Sequence, residues 1–267
     1  MNKGRYGDEE IKQFVQEAIR DGFCVLRDHF SKEKIQKWNT DFTPLLQDHI
    51  RNEGHIQNRG PGRFYVTLPF EGPFADEEIF CDPDVLSIVG KLVGEDFTMV
   101  QLATDTPLRG SDYQDIHRDA PPLFPELADE TPTFQIAVNF PLVDVTPENG
   151  PFEVARGTHM VSKEKGLKMI EKGEKPLEPI TLAVGDVMIR DVRGLHRGTP
   201  NKTDEPRPMA VIGYSRKWLF RPEVSIHIPR PVWEDLSPRS RQMLRFNPIV
   251  ESLADVPTEE IYQSFAY

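Results

Sequence analysis

The sequence predicts a mainly β domain, a sandwich or barrel with helices packed around it. Two observations carry that expectation. From about Phe97 the chain breaks into short runs rich in β-branched and aromatic residues, FTMVQLATD, TFQIAVNFPLVDV, FEVARG, LEPITLAV, DVMIRDV and MAVIGYSRKWLF, each bounded by Gly, Pro, Asn or Asp. Several strands separated by turn clusters are the mark of sandwiches and barrels. In addition, the 24 prolines and 18 glycines are spread along the chain, so they punctuate turns between many elements and do not form one linker.

Taken in order, the first hundred residues carry mostly helical signals. Ile11, Phe14, Val15, Ala18 and Ile19 repeat at helical spacing, with Asp8, Glu9 and Glu10 at the favourable end of the helix dipole and Gly22 placed to stop it. Phe23 to Leu26 read as a short buried strand. Ser31 can cap a second helix with Ile35, Trp38 and Phe42 on one face, which Pro44 should break or kink. A third helix starts at Asp82-Pro83, buries Val85, Leu86, Ile88, Val89 and Leu92, and ends at Gly94. Between the second and third helices, residues 58–70 (NRGPGRFYVTLPF) form a glycine- and arginine-rich stretch suited to a lid. Beyond residue 97, SKEKGLKMIEKGEK is a charged helical insertion between strands, and VWEDLSPRSRQMLRF reads as a surface helix.

Length and composition bound the function. A chain of 267 residues with 38% hydrophobic and 28% charged content fits one soluble domain with a sizeable core. The net charge of −11 argues against a nucleic-acid partner and slightly favours a cationic or neutral substrate. The polar N-terminus lacks the apolar core of a signal peptide, and no apolar run approaches the length of a membrane span, so a cytoplasmic protein is expected. Cys24 and Cys81, both in apolar segments without CxxC spacing, read as buried reduced thiols. Whether the chain forms a homo-oligomer stays open.

One constellation suggests chemistry. His117 and Asp119 sit in DIHRDAPP with one residue between them, so in an extended segment both side chains project to the same side. His196 ends a β-type run that a closed sheet could return beside that pair. Two imidazoles and one carboxylate on one face of a metal, with the opposite positions open, form the donor set with which mononuclear iron activates oxygen. Alone, His117 reads equally well as a surface or hydrogen-bonded core histidine. Arg207, eleven residues after His196, strengthens the metal reading, because a dicarboxylate co-substrate needs a fixed guanidinium for its distal carboxylate.

These motifs carry a family resemblance. HRD at 117–119, ENGPFEVARGTH at 148–159, GDVMIRD at 185–191 and HRGTPN followed by Arg207, together with the opening segment DGFCVLRDHFSKEKI and the helix VGKLVGEDF, resemble the phytanoyl-CoA dioxygenase family. VMIRDVRGLHRGTPN with EPRP is similar to a bacterial branch that includes the kanamycin B dioxygenase. The resemblance implies a double-stranded β-helix (jelly-roll or cupin-like) core at residues 97–220. A helical support and lid would precede it at 1–96, and a C-terminal helix and tail would follow at 221–267. It also implies Fe(II) held by His117, Asp119 and His196, 2-oxoglutarate held through Arg207, and O2 as oxidant.

Thr199 and Asn139 are placed to add a second contact to the 2-oxoglutarate carboxylate. His159, the rival metal ligand, falls in the family's turn motif and lacks a following arginine. Retention of Asp119, which related halogenases replace, points to hydroxylation or another oxygen-derived oxidation of a small molecule, with release of succinate and CO2. Arg59, Arg63, Phe64, Tyr65, Phe124, Asp191 and Arg193 are the candidate substrate contacts. Because a metal-binding imidazole must be neutral, activity is expected to fall in mild acid. Two alternatives remain: a cupin-type oxygenase that does not use 2-oxoglutarate, and a catalytically silent binding member of the family.

Overall fold

A computed structural model describes residues 4–54, 59–127, 130–219 and 226–256. Asn58 of the predicted lid, Phe220 of the last β-type run, and residues 221–225 and 257–267 of the predicted C-terminal region lie outside the described residues.

Helix α1 (Asp8–Asp21) carries its three acidic residues in the first turn and ends where Gly22 adopts φ of 87°, a left-handed geometry open to glycine without strain. Strand β1 (Phe23–Leu26) follows. Helix α2 (Lys32–Glu53) starts at Ser31, whose hydroxyl accepts from the Lys34 amide, and buries Ile35, Trp38 and Phe42. The break expected at Pro44 does not occur. Pro44 and Thr40 are both exposed, so the carbonyl that proline cannot bond is within reach of water.

Strand β2 (Arg63–Thr67) comes next, then the single-turn α3 (Glu77–Phe80) and α4 (Pro83–Val93). The Asp82 carboxylate caps α4 by accepting from the Asp84 and Val85 amides. The core strands are β3 (Phe97–Pro107), β4 (Gln135–Pro141), β5 (Phe152–Ala155), β6 (Leu177–Ile180), β7 (Val187–Asp191), β8 (His196–Gly198) and β9 (Met209–Arg216). Helix α5 (Lys163–Glu171) is the expected charged insertion. The strand pair β10 (Ile228–Pro229) and β11 (Ile249–Val250) brackets helices α6 (Arg230–Asp235) and α7 (Pro238–Leu244).

Two antiparallel sheets form the core. The larger has strand order β1-β7-β4-β9-β3-β2 and the smaller has order β6-β5-β8. A cavity lined from both sheets lies between them, the arrangement of a double-stranded β-helix. Strand alternation sorts the large sheet. Gln135, Ala137 and Asn139 of β4 face the cavity, whereas Ile136, Val138 and Phe140 join the main core with Ile35, Trp38, Phe42, Val85 and Val89 of α2 and α4. The Trp38 and Phe140 rings meet edge to face at 5.0 Å.

Three expectations need correction. Residues 63–67 are not a lid, because RFYVT has strand alternation and pairs along β3 from Arg63 opposite Pro107 to Thr67 opposite Ala103. With β1, it makes residues 1–96 contributors to the main sheet and not only a support for it. The C-terminal segment is two helices, since Ser237-Pro238 caps and starts a new one, and Met243 and Leu244 are fully buried against the core. Cys24 is buried, but Cys81 is only half-buried; both are free thiols.

Candidate active site

Strand β8 opens with His196, and residues 116–118 run antiparallel beside it. The His117 amide donates to the His196 carbonyl at 3.0 Å and the His196 amide returns the bond at 3.1 Å. This pairing sets the two imidazoles side by side, with ring centres 4.3 Å apart. Each Nδ1 faces a main-chain carbonyl, Asp115 at 2.7 Å and Gly194 at 2.9 Å. A carbonyl only accepts, so each Nδ1 carries the proton and each Nε2 keeps a free lone pair. Asp119 Oδ1 lies 3.8 Å from His117 Nε2 and 3.4 Å from His196 Nε2. The three ligand atoms lie within 4.8 Å of one another.

Arg190, next to last in β7, holds the other carboxylate oxygen. Its Nη2 donates to Asp119 Oδ2 at 2.5 Å and its Nε donates to Asn139 Oδ1 at 2.9 Å. Burial would raise the Asp119 carboxyl, but the Arg190 guanidinium holds it well below the usual carboxylate range. Burial, reinforced by the neighbouring His196, lowers His117 to about 4. His117 therefore stands as neutral imidazole and Asp119 as ionised carboxylate.

Arg207 enters the same cavity immediately before β9. It is almost fully buried, its Nη2 donates to the Gly150 carbonyl at 2.7 Å, and its Nε has no partner. Burial lowers it to about 10; Asp105 opposes that shift and the like charge of Arg63 adds to it. Arg63 pairs with Asp105 at 2.9 Å and donates to the Thr199 carbonyl at 2.9 Å. Phe152, Ile180, Leu182, Met188 and Met209 form one apolar patch of the wall. The cavity opens to solvent.

The donor set fits ferrous iron: two imidazole nitrogens with free lone pairs and one carboxylate oxygen converge, leaving the cavity side open. The partnerless, buried guanidinium nitrogen of Arg207 fits an anionic ligand.

The cavity also brings Asn139, Arg59, Arg63 and Tyr65 together with the histidines, Asp119 and Arg207. Asn139 spends its oxygen on Arg190, and the Arg59 guanidinium stacks on Tyr65 at 4.7 Å. Other candidates lie elsewhere. Thr199 is buried and its hydroxyl donates to the Pro151 carbonyl at 2.8 Å. Phe64 points to the opposite face of β2 and packs in the main core, while Phe124 is exposed and is absent from the lining.

Asp191 and Arg193 are buried behind the site. Arg193 grips both Asp191 oxygens at 2.9 and 2.7 Å and donates to the Thr131 carbonyl at 2.6 Å. His159 is likewise away from the ligands: its Nε2 faces the Ile19 carbonyl at 3.2 Å and its ring packs under Gly22. Sequence reasoning missed Arg190, Asp105, Gln101, Gln114, Gln135 and Phe152. Arg190 did leave a signal, since a charge in the middle of the apolar run VMIRDV needs a partner once the strand is buried.

The sequence profile of the phytanoyl-CoA dioxygenase (PhyH) family matches residues 19–209. The chain belongs to the phytanoyl-CoA dioxygenase family. Family membership and the His117–Asp119–His196 cluster make this PhyH member a dioxygenase dependent on iron and 2-oxoglutarate. It is 24% identical over 252 residues to the dioxygenase aneA of Aspergillus aculeatus, covering 89% of this chain and 83% of the relative. It is also 24% identical over 139 residues to the iron/alpha-ketoglutarate-dependent dioxygenase ausO of Aspergillus calidoustus, covering 51% of this chain and 47% of that one.

Among solved structures, HygX from Streptomyces hygroscopicus with nickel and 2-oxoglutarate bound superposes with a TM-score of 0.60 at 16% identity, covering 81% of this PhyH chain and 90% of HygX. The alpha-ketoglutarate-dependent epimerase SnoN from nogalamycin biosynthesis gives 0.60 at 17% identity, covering 79% and 84%. At such identities the likeness is one of fold. Among the described residues no helix is long and apolar enough to cross a membrane.

Proposed function

We propose that His117, Asp119 and His196 hold Fe(II), that Arg207 grips the distal carboxylate of 2-oxoglutarate, and that the enzyme oxidises a small specialised metabolite. One observation carries this reading: the two free Nε2 lone pairs, Asp119 Oδ1 and the partnerless Arg207 guanidinium nitrogen belong to one cavity. Iron and 2-oxoglutarate, once bound, supply the oxidation of substrate by O2 with release of succinate and CO2.

The chain's own residues supply geometry and dryness. The carbonyls of Asp115 and Gly194 fix the imidazole tautomers and ring planes. Arg190 occupies Asp119 Oδ2 and leaves Oδ1 for the metal. Arg207 orients the dicarboxylate by charge-assisted hydrogen bonds, and Phe152, Ile180, Leu182, Met188 and Met209 exclude water from its methylene carbons. A cupin-type oxygenase that needs no 2-oxoglutarate would have no use for a guanidinium buried this deeply. Relatives in fold point to specialised metabolism, one solved with hygromycin B and one with nogalamycin RO.

Anaerobic titration of the protein with Fe(II) and 2-oxoglutarate, read by the visible charge-transfer absorption of the chelate, tests the assignment. Stoichiometric binding that Asp119→Ala abolishes and Arg207→Ala weakens is expected. Wild-type protein that forms no such chelate would sink it.

A further inference from the structure

The charge of this molecule inverts between its surface and its cavity. The whole chain carries −11, yet among the described residues the charged groups lining the cavity are Arg59, Arg63, Arg190 and Arg207 against Asp105 and Asp119. Ferrous iron and the 2-oxoglutarate dianion carry equal and opposite charges, so loading the site leaves that imbalance in place. Leaving half-buried Arg59 aside, three guanidiniums face two carboxylates. In a cleft walled by protein such an excess selects for ligand charge.

Pairing locates the excess. Arg63 has Asp105 at 2.9 Å. Arg207, under the proposed function, takes one carboxylate of 2-oxoglutarate. Asp119 must share its single charge between the metal and Arg190, so Arg190 is left without a counter-ion of its own. Its Nη1 is also buried without any hydrogen-bond partner, although Nε and Nη2 are both engaged. Its register partner on β4 is Ala137, whose small side chain lines the cavity; the next position in that row, Gly213 on β9, is covered by Gln101, since a β-carbon there would lie 2.7 Å from Gln101 Cβ.

We infer that the substrate carries a carboxylate, and that this group docks on Arg190 beside Ala137 and the proposed metal ligands. The inference rests on the proposed function and deepens it by naming a substrate class. Arg190 then has two partners, Asp119 on one nitrogen and the substrate acid on another. An amine, which the acidic surface alone would favour, meets like charge at the same place.

The test uses full-length protein loaded with Ni(II) and 2-oxoglutarate, which does not turn over. Binding is measured by calorimetry for matched sets sharing one skeleton, such as 2-naphthylacetic acid, its primary amide and 2-(2-naphthyl)ethylamine. The acid should bind at least about tenfold more tightly than the amide, and the amine more weakly still. Arg190→Gln should erase the difference between acid and amide and Arg190→Lys should keep part of it, each compared at equal measured nickel content. Equal affinity of acid and amide, preference for the amine, binding of none of the three, or full discrimination in Arg190→Gln each overturns the inference. Failure of nickel and 2-oxoglutarate to bind the wild type would instead strike the proposed function, so the two outcomes are separable.

Discussion

The Arg63 guanidinium lies face-on against the α-carbon of Gly198: a β-carbon there would sit 2.6 Å from Cζ, Nη1 and Nη2 alike. Gly198 is two residues beyond His196 on the same three-residue strand, so the contact ties an N-terminal strand to the strand that presents His196. Gly198→Ala must displace Arg63 from Asp105 and the Thr199 carbonyl, or move β8. A loss of about 1–3 kcal/mol is expected from overpacking, seen as a lower chemical-denaturation midpoint, together with weaker metal binding. Unchanged stability and unchanged metal affinity would show that the contact is not constraining.

Arg207→Ala should raise the 2-oxoglutarate requirement. Loss of a charge-assisted contact removes about 1.5–3 kcal/mol, or roughly one to two orders of magnitude in affinity. Steady-state kinetics should show the effect in KM for 2-oxoglutarate, with partial recovery in Arg207→Lys. A KM equal to wild type would move the co-substrate site elsewhere.

Asp119→Ala and His196→Ala should abolish iron-dependent succinate release. Equilibrium dialysis should also show metal affinity falling in both. Turnover at the wild-type rate in either variant would dismantle the ligand assignment.

The pair Asp191 and Arg193 is buried, and each is the other's main charge partner. Removing Asp191 strips Arg193 of its two-pronged partner and leaves it Glu130 at 3.5 Å, so Asp191→Ala should destabilise the fold by about 1–3 kcal/mol. The double variant with Arg193→Ala should recover part of that loss in urea denaturation. Additive losses would mean that the two charges do not depend on each other.

Acid should destabilise the metal-free protein. His117 is lowered to about 4 in the fold, whereas an unfolded histidine titrates near about 6.5. Between those values the unfolded chain binds the extra proton, so stability is fully present above about pH 6.5 and declines towards pH 4. Urea denaturation at pH 7 and pH 5 should show the decline, and His117→Asn should flatten it. By the same shift, His117 stays neutral and available to a metal in mild acid, so its own protonation does not account for a loss of activity near pH 6.

The sequence made most strands legible because their alternation is strong: VMIRD, QIAVNFP and MAVIGYSR each show which residues face the helices. The donor triad was legible because His117 and Asp119 share a side by spacing alone, and family-like motifs fixed His196 and Arg207. Asp191 and Arg193 misled, since proximity to His196 in sequence does not tell which side of a turn a side chain takes. Both turn away from the cavity into a buried ion pair. Phe64 misled for a simpler reason: Arg63 and Tyr65 take the cavity face of β2, so their neighbour must take the other. Arg190 signalled itself as a charge within a buried strand, but its partner Asp119 emerged only from the strand pairing.

The two histidines are joined through their own main chains, each amide bonded to the other's carbonyl. Ring spacing is therefore tied to strand register. A slip of one residue in this pairing would turn one imidazole to the opposite face and separate the two nitrogens, so the precision of the site is set by main-chain bonds that no side-chain substitution removes.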